Sequence, residues 1–256
     1  MWFRNPVPKD VQQVLDALEK LPKSAKKLGG ADGVCHAFAA LVDHTLLKPE
    51  ATPDDIRRLC EQGVRHAFAT VVVNPRYVAL AVKSVGGKVR VGGVAGFPLG
   101  AARPDVKRME AELGLADGAK EIDMVMAVGA LKAGDDDYVE EEIESIAEVC
   151  HKHKAILKVI LECAVLNEKE KKRGAKLAVK AGADFVKTST GFGPAGATAE
   201  DVALLRATVG SKTGVKASAG IRTLPVALEM LGAGASRIGT SSGVEILTEL
   251  RRTVER

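Results

Sequence analysis

Short runs of β-branched and apolar residues recur along the chain, each bounded by glycine or a polar residue and each followed by a stretch with helical spacing of apolar positions. Eight runs read as strands: Ala40–Asp43, Ala67–Val73, Lys88–Val94, Glu121–Val125, Ile156–Ile160, Asp184–Thr188, Gly214–Ala217 and Arg237–Gly239. They return about every 28 residues, the length of chain that a strand, its turns and a crossover helix consume. The runs are continuously apolar and do not alternate, which suits a parallel sheet covered on both faces. The segments between them carry helix punctuation. Thr52-Pro53-Asp54-Asp55 offers an N-cap, a proline at the first helical position and acids in the first turn, with Gly63 as the stop. Thr198-Ala199-Glu200-Asp201 opens another helix similarly, and Asp117-Gly118-Ala119, Ala181-Gly182-Ala183 and Gly232-Ala233-Gly234 read as exits into the next strand. Eight units without a break in composition predict one (β/α)8 TIM barrel over residues 34–256, an open doubly wound sheet being the alternative.

Ahead of the barrel, Asp10–Leu28 carries Val11, Val14, Leu15 and Leu18 at helical spacing. This predicts an extra N-terminal amphipathic helix, covering the barrel bottom or meeting another copy. Gly29-Gly30-Ala31-Asp32-Gly33 then reads as a flexible connector, so that residues 1–33 precede the barrel. With 256 residues, 46% of them hydrophobic, the chain can bury a core that needs neither disulfides nor a structural metal. The balance of 37 basic against 33 acidic residues is interleaved, as in Glu168-Lys169-Glu170-Lys171-Lys172-Arg173, which reads as a solvated helix face and argues against a nucleic-acid partner. The longest uncharged stretches, Val91–Ala102 and Thr188–Ala199, fall short of the roughly 18 residues needed to cross a bilayer. No export pattern opens the chain, so a cytoplasmic protein without a membrane partner is expected. Cys35, Cys60, Cys150 and Cys163 form no C-x-x-C pair and are expected as buried thiols.

Three motifs fail on their context. Gly191-Phe192-Gly193-Pro194-Ala195-Gly196 matches a dinucleotide-binding loop, yet Gly214-Val215-Lys216-Ala217 offers no acid where a ribose would need one. Gly239-Thr240-Ser241-Ser242-Gly243 matches a nucleophile elbow, but Val244–Arg256 contains neither Asp nor His to complete a hydrolase triad. His151-Lys152-His153 places two histidines on different sides of a helix, which reads as a surface helix end and no metal site.

Charge inside apolar strands is the informative anomaly: Asp123 in the fourth run, Lys158 in the fifth, Lys187 in the sixth and Lys216 in the seventh. Isolated buried charges cost several kcal/mol, so these four must share a solvated pocket or neutralise one another. An ion-pair plug is one reading. The other is chemical, because catalytic groups of this fold come from the carboxyl ends of its strands. Neighbouring lysines lower one another's pKa, and a neutral amine attacks a carbonyl to form a Schiff base. Asp123 would supply acid/base function. Residue physics leaves open whether Lys187 or Lys216 is the nucleophile. The turns Thr188-Ser189-Thr190-Gly191, Ser218-Ala219-Gly220 and Gly239–Gly243 could cradle a phosphate on backbone N–H groups, which points to a phosphorylated aldehyde or sugar; ordinary tight turns are the alternative.

In combination the residues resemble the deoxyribose-phosphate aldolase family. The resemblance runs from Asp43-His44-Thr45-Leu46-Leu47-Lys48-Pro49, through Val94–Gly100, Glu121–Val125, Leu157–Glu162, Phe185–Gly191 and Val215–Ser218, to Gly239-Thr240-Ser241-Ser242. It implies reversible cleavage of 2-deoxy-D-ribose 5-phosphate to acetaldehyde and D-glyceraldehyde 3-phosphate, with no cofactor and no metal. It also implies that Lys187 forms the Schiff base, Lys216 lowers its pKa and Asp123 relays protons through water. Asp43 and Lys158 would be supporting residues, and Gly191, Gly220, Ser241 and Ser242 would hold the phosphate. A homo-oligomer, dimer or tetramer, is expected. A silent sugar-phosphate-binding barrel and an aldolase for another phosphorylated aldehyde are the competing readings. The chain departs from the family where Ala219 replaces the first of two glycines before Ile221-Arg222, which puts phosphate affinity in doubt. Val71-Val72-Val73-Asn74-Pro75 also lacks a cysteine that some members carry, so less covalent trapping by excess aldehyde is expected.

Overall fold

A computed structural model of the chain describes residues 29–255. Eight parallel strands close into a barrel in sequence order: β1 (Val42–Leu46), β2 (Thr70–Val73), β3 (Arg90–Ala95), β4 (Glu121–Val125), β5 (Ile156–Ile160), β6 (Phe185–Lys187), β7 (Gly214–Ser218) and β8 (Arg237–Thr240). β8 returns to pair with β1, so the sheet has no free edge. The helices are α1 (Gly30–Ala39), α2 (Pro53–His66), α3 (Val78–Val85), α4 (Pro104–Ala116), α5 (Val128–Ala133), α6 (Asp136–Lys152), α7 (Glu168–Lys180), α8 (Ala199–Val209), α9 (Leu224–Gly232) and α10 (Gly243–Val254). The (β/α)8 barrel is therefore present. Its main apolar core lies between the outer strand faces and the helices.

The local signals act as their chemistry requires at most junctions. Thr52 and Asp55 close a reciprocal capping box at the start of α2, and Thr198 Oγ1 accepts from the Asp201 N–H at the start of α8. Gly118, Gly182 and Gly234 carry the chain through positive φ just after α4, α7 and α9.

Three expectations need correction. Gly63 does not end α2, which runs on to His66 and stops at Ala67 in the left-handed region. Gly63 is a packing site instead: a Cβ there would lie 2.4 Å from Val71 Cγ1, so its bareness lets α2 approach β2. The first strand begins at Val42, because Ala40 caps α1. The connector expected over Gly29–Gly33 is the opening of α1, with Gly29 as its left-handed N-cap and Val34, Cys35, Phe38 and Ala39 buried; the apolar spacing that follows the glycines holds them in the helix. The amphipathic helix expected over residues 10–28 lies outside the described residues.

Candidate active site

The strand register brings the anomalous charges together inside the barrel. Asp123 on β4 pairs with Lys158 on β5, Lys187 on β6 with Lys216 on β7, and Lys216 with Arg237 on β8. All these side chains are buried, with Lys187 only 2% exposed. Asp123 is the hub. Its Oδ1 lies 2.8 Å from Lys158 Nζ, and its Oδ2 lies 2.8 Å from Lys187 Nζ and 2.7 Å from Lys216 Nζ. Lys216 also reaches Asp43 Oδ2 on β1 at 2.5 Å, and Lys158 contacts Glu121 as well as Asp43. At the base, Arg237 closes on Asp43 Oδ1 at 2.6 Å and on Glu121 Oε2 at 3.4 Å. The three enclosed acids come from β1 and β4, and the four enclosed bases come from β5 to β8. Gly239 makes the room, since a Cβ on it would sit 2.8 Å from Lys216 Cε.

The electrostatics differ sharply from group to group. Burial alone would push the Asp123 carboxyl up, but Lys158, Lys187 and Lys216 outweigh it and hold Asp123 well below the usual carboxylate range. Asp43 is held low against the same opposition by Lys216, Lys158 and Arg237. Burial disfavours the Lys158 ammonium, yet Asp123, Glu121 and Asp43 raise it above an ordinary lysine. Lys187 goes the other way. Burial brings it down to about 8, and Lys216 adds to this against the pull of Asp123.

Only Lys187 and Lys216 of this set line a cavity of about 330 Å³ at the C-terminal mouth of the barrel. Thr45, Leu47, Thr190, Ser218, Ala219 and Thr240 form its walls. Gly191, Gly220 and Ser241, expected to hold phosphate, all line it. Ser242 does not; its N–H donates to Thr240 Oγ1 at 2.9 Å. Lys48 and Arg222 add two exposed cations to the rim, a contribution that neither spacing nor periodicity flagged. An apolar cluster of Leu47, Val72, Val94 and Phe97 stands on the β1 to β3 side. Phe97 meets Phe192 edge-on at 5.4 Å, which joins the loops after β3 and β6.

Glu162, two residues beyond β5, was invisible as a site residue in the sequence. Its backbone sits at φ 56, and its buried carboxylate accepts from the Thr190 N–H at 3.2 Å and from the Thr190 hydroxyl. Gly193 lies over it, where a Cβ would be 2.8 Å from Glu162 Cδ. A non-glycine residue at positive φ marks a locally strained backbone, and here it anchors the loop that carries Thr190 and Phe192. Among the described residues no group of three or more His, Cys, Asp and Glu side chains could hold a metal ion, and no helix is long and apolar enough to cross a membrane.

A (β/α)8 barrel with a buried lysine–carboxylate network opening into a pocket at the strand C-termini has the architecture of a barrel enzyme, whose catalytic groups come from the carboxyl ends of its strands. Residues 37–249 match the family described as DeoC/LacD family aldolase, and the chain belongs to that family. A deoxyribose-phosphate aldolase of Geobacillus sp. (strain WCH70) is 54% identical over 211 residues, which are 82% of this chain and 94% of the relative. One from Thermococcus gammatolerans is 53% identical over 217 residues, 84% of this chain and 96% of the relative. Among solved structures, the tetrameric deoxyribose phosphate aldolase of Aeropyrum pernix superposes with a TM-score of 0.80 at 34% identity, over 96% of this chain and 99% of that one.

Proposed function

We propose that the chain is a class I aldolase that reversibly cleaves 2-deoxy-D-ribose 5-phosphate to acetaldehyde and D-glyceraldehyde 3-phosphate, with Lys187 as the imine-forming amine. The activity named for its relatives supports the substrate. The observation that carries the assignment of Lys187 is its single ion-pair contact. Lys216 is clamped between Asp43 and Asp123, whereas Lys187 touches one oxygen that it must share. At a pKa of about 8, roughly a tenth of Lys187 is neutral at pH 7, against about one molecule in 2,500 for an unperturbed lysine.

The chemistry follows from these positions. Neutral Lys187 Nζ adds to the C1 carbonyl of the open-chain sugar, and the resulting carbinolamine loses water to give an iminium. Removal of the C3 hydroxyl proton breaks the C2–C3 bond, whose electron pair moves to the iminium and leaves an enamine while D-glyceraldehyde 3-phosphate departs. Protonation at C2 and hydrolysis then release acetaldehyde and restore the amine. Asp123, held ionised by its three lysines, takes up the C3 hydroxyl proton through water and returns a proton by the same route to C2. Lys158 holds its Oδ1, and Asp43 shares the Lys216 ammonium with it. Gly191, Gly220 and Ser241, with Ser242 behind them at the α10 N-terminus, form the phosphate end beside Lys48 and Arg222. A cytoplasmic homo-oligomer belongs to the same reading, supported by the tetramer named for the Aeropyrum pernix relative.

Incubation with acetaldehyde and borohydride, followed by peptide mapping, tests the mechanism. A single reduced adduct at Lys187, lost in Lys187→Ala, is expected. Labelling at Lys216 would exchange the two lysine roles, and no selective adduct would sink the Schiff-base assignment. Faster cleavage of deoxyribose 5-phosphate than of ribose 5-phosphate or fructose phosphates is the companion result. Binding of the sugar phosphate without turnover would favour a silent barrel.

A further inference from the structure

The enclosed charges do not balance, and the imbalance has a definite place to go. Asp43, Glu121 and Asp123 face Lys158, Lys187, Lys216 and Arg237, so four cations share three carboxylates. Every oxygen of those carboxylates is already within ion-pair distance of a cation, Glu121 Oε1 being met at 3.3 Å by Arg90 from β3, whose side chain is half-exposed. A buried cluster of this kind relieves its surplus by releasing one proton. Arg237 cannot release one. Lys158 contacts three carboxylates, Lys216 two and Lys187 one, so the proton leaves Lys187.

We propose that Arg237 and Glu121, at the opposite end of the barrel interior from the pocket, are positioning residues that set the proton occupancy of Lys187 and hence the pH at which the enzyme works. The inference rests on Lys187 being the imine-forming amine. Neither residue lines the pocket, so neither touches substrate. Arg237 occupies Asp43 Oδ1 at 2.6 Å and Glu121 Oε2 at 3.4 Å, the charge that would otherwise balance the lysines. Without Arg237 the interior is neutral with every lysine protonated, and Lys187 keeps its proton to higher pH. Without the Glu121 charge the surplus grows to two, and Lys187 gives its proton up at lower pH. β4 and β8 each lie two strands from β6, about 10 Å away at the usual inter-strand spacing. At an effective dielectric of about 20, a unit charge at that range moves a titration by about one pH unit.

The test is the rate of borohydride-trapped imine formation with acetaldehyde, measured from about pH 6 to about pH 10 on full-length protein. Arg237→Gln is expected to move the acidic limb up by about one unit, and Glu121→Gln to move it down by a similar amount. Arg237→Lys, which keeps the charge, should stay near the wild-type profile. Shifts in the same direction, or none, in variants that retain wild-type circular dichroism would overturn the proposal. Should a buried substitution fail to fold, Arg90→Gln decides. It removes a half-exposed cation from Glu121, so an upward shift of a few tenths of a unit supports the proposal and an unmoved limb refutes it. Absence of a Lys187 adduct in the wild-type protein is a distinct result and would overturn the Schiff-base reading beneath it.

Discussion

Lys187 is an unfavourable residue for the fold and the one the proposed chemistry needs. Its folded pKa of about 8 lies below the value of about 10.4 in an unfolded chain. Between those values the unfolded state binds more protons, so stability rises with pH across that window, and below pH 8 the full cost is present. The difference corresponds to about 3 kcal/mol. Lys187→Met should therefore abolish imine trapping and yet stabilise the protein at pH 7 by roughly 1 to 3 kcal/mol. Urea unfolding at pH 7 and again near pH 10 checks this, with the gain expected to shrink at the higher pH. On the proposed mechanism, in which neutral Lys187 attacks, cleavage by the wild-type enzyme should climb with pH through an acidic limb near 8. A flat profile between pH 6 and about pH 9 would detach the rate from this group.

Elements that carry a strong local signal were legible in the sequence, and junctions governed by distant contacts were not. The α2 capping box depends on residues three apart, so Thr52 and Asp55 announce it. Gly63 reads as a stop because its reason, the Val71 side chain across the interface, belongs to another element. Alanine there has the better helix propensity by about 1 kcal/mol, but its methyl would collide with Val71. Gly63→Ala is expected to lose about 1 to 2 kcal/mol net by urea unfolding. The site divides in the same way. Asp123, Lys158, Lys187 and Lys216 stood out as charges within apolar runs, whereas Glu162, Glu121 and Arg237 take their meaning from partners far away along the chain. Ala219 was legible as a departure from a family pattern, and the structure adds a backbone at φ 73 and a place in the pocket wall. An alanine in that region costs about 1 kcal/mol, and glycine's greater freedom in the unfolded chain offsets much of it. Ala219→Gly should keep stability within about 1 kcal/mol while binding inorganic phosphate severalfold more tightly by calorimetry. Unchanged affinity would remove Ala219 from the phosphate end.

At the scale of the whole molecule, the barrel interior behaves as one charged object. Asp43 and Asp123 titrate far below their unfolded value of about 3.9. Their contribution is complete above that value and is lost as the pH falls beneath it, because the unfolded chain then takes up protons that the folded chain refuses. Denaturant midpoints should hold steady from about pH 6 to about pH 5 and drop steeply below about pH 4. Added salt should restore little, since the pairs are enclosed. The arrangement of those charges by strand also bears on how the chain could be divided. A cut in the turn between α6 and β5 would leave the three carboxylates of this network on one fragment and its four cations on the other. The network charges on each fragment would repel one another when it closed alone, and the two sets would attract on meeting. Co-expressed as separate polypeptides, the halves should reassemble with each other in preference to pairing with their own kind, so the ion network proposed to serve catalysis would also act as a recognition code between the two halves of the barrel.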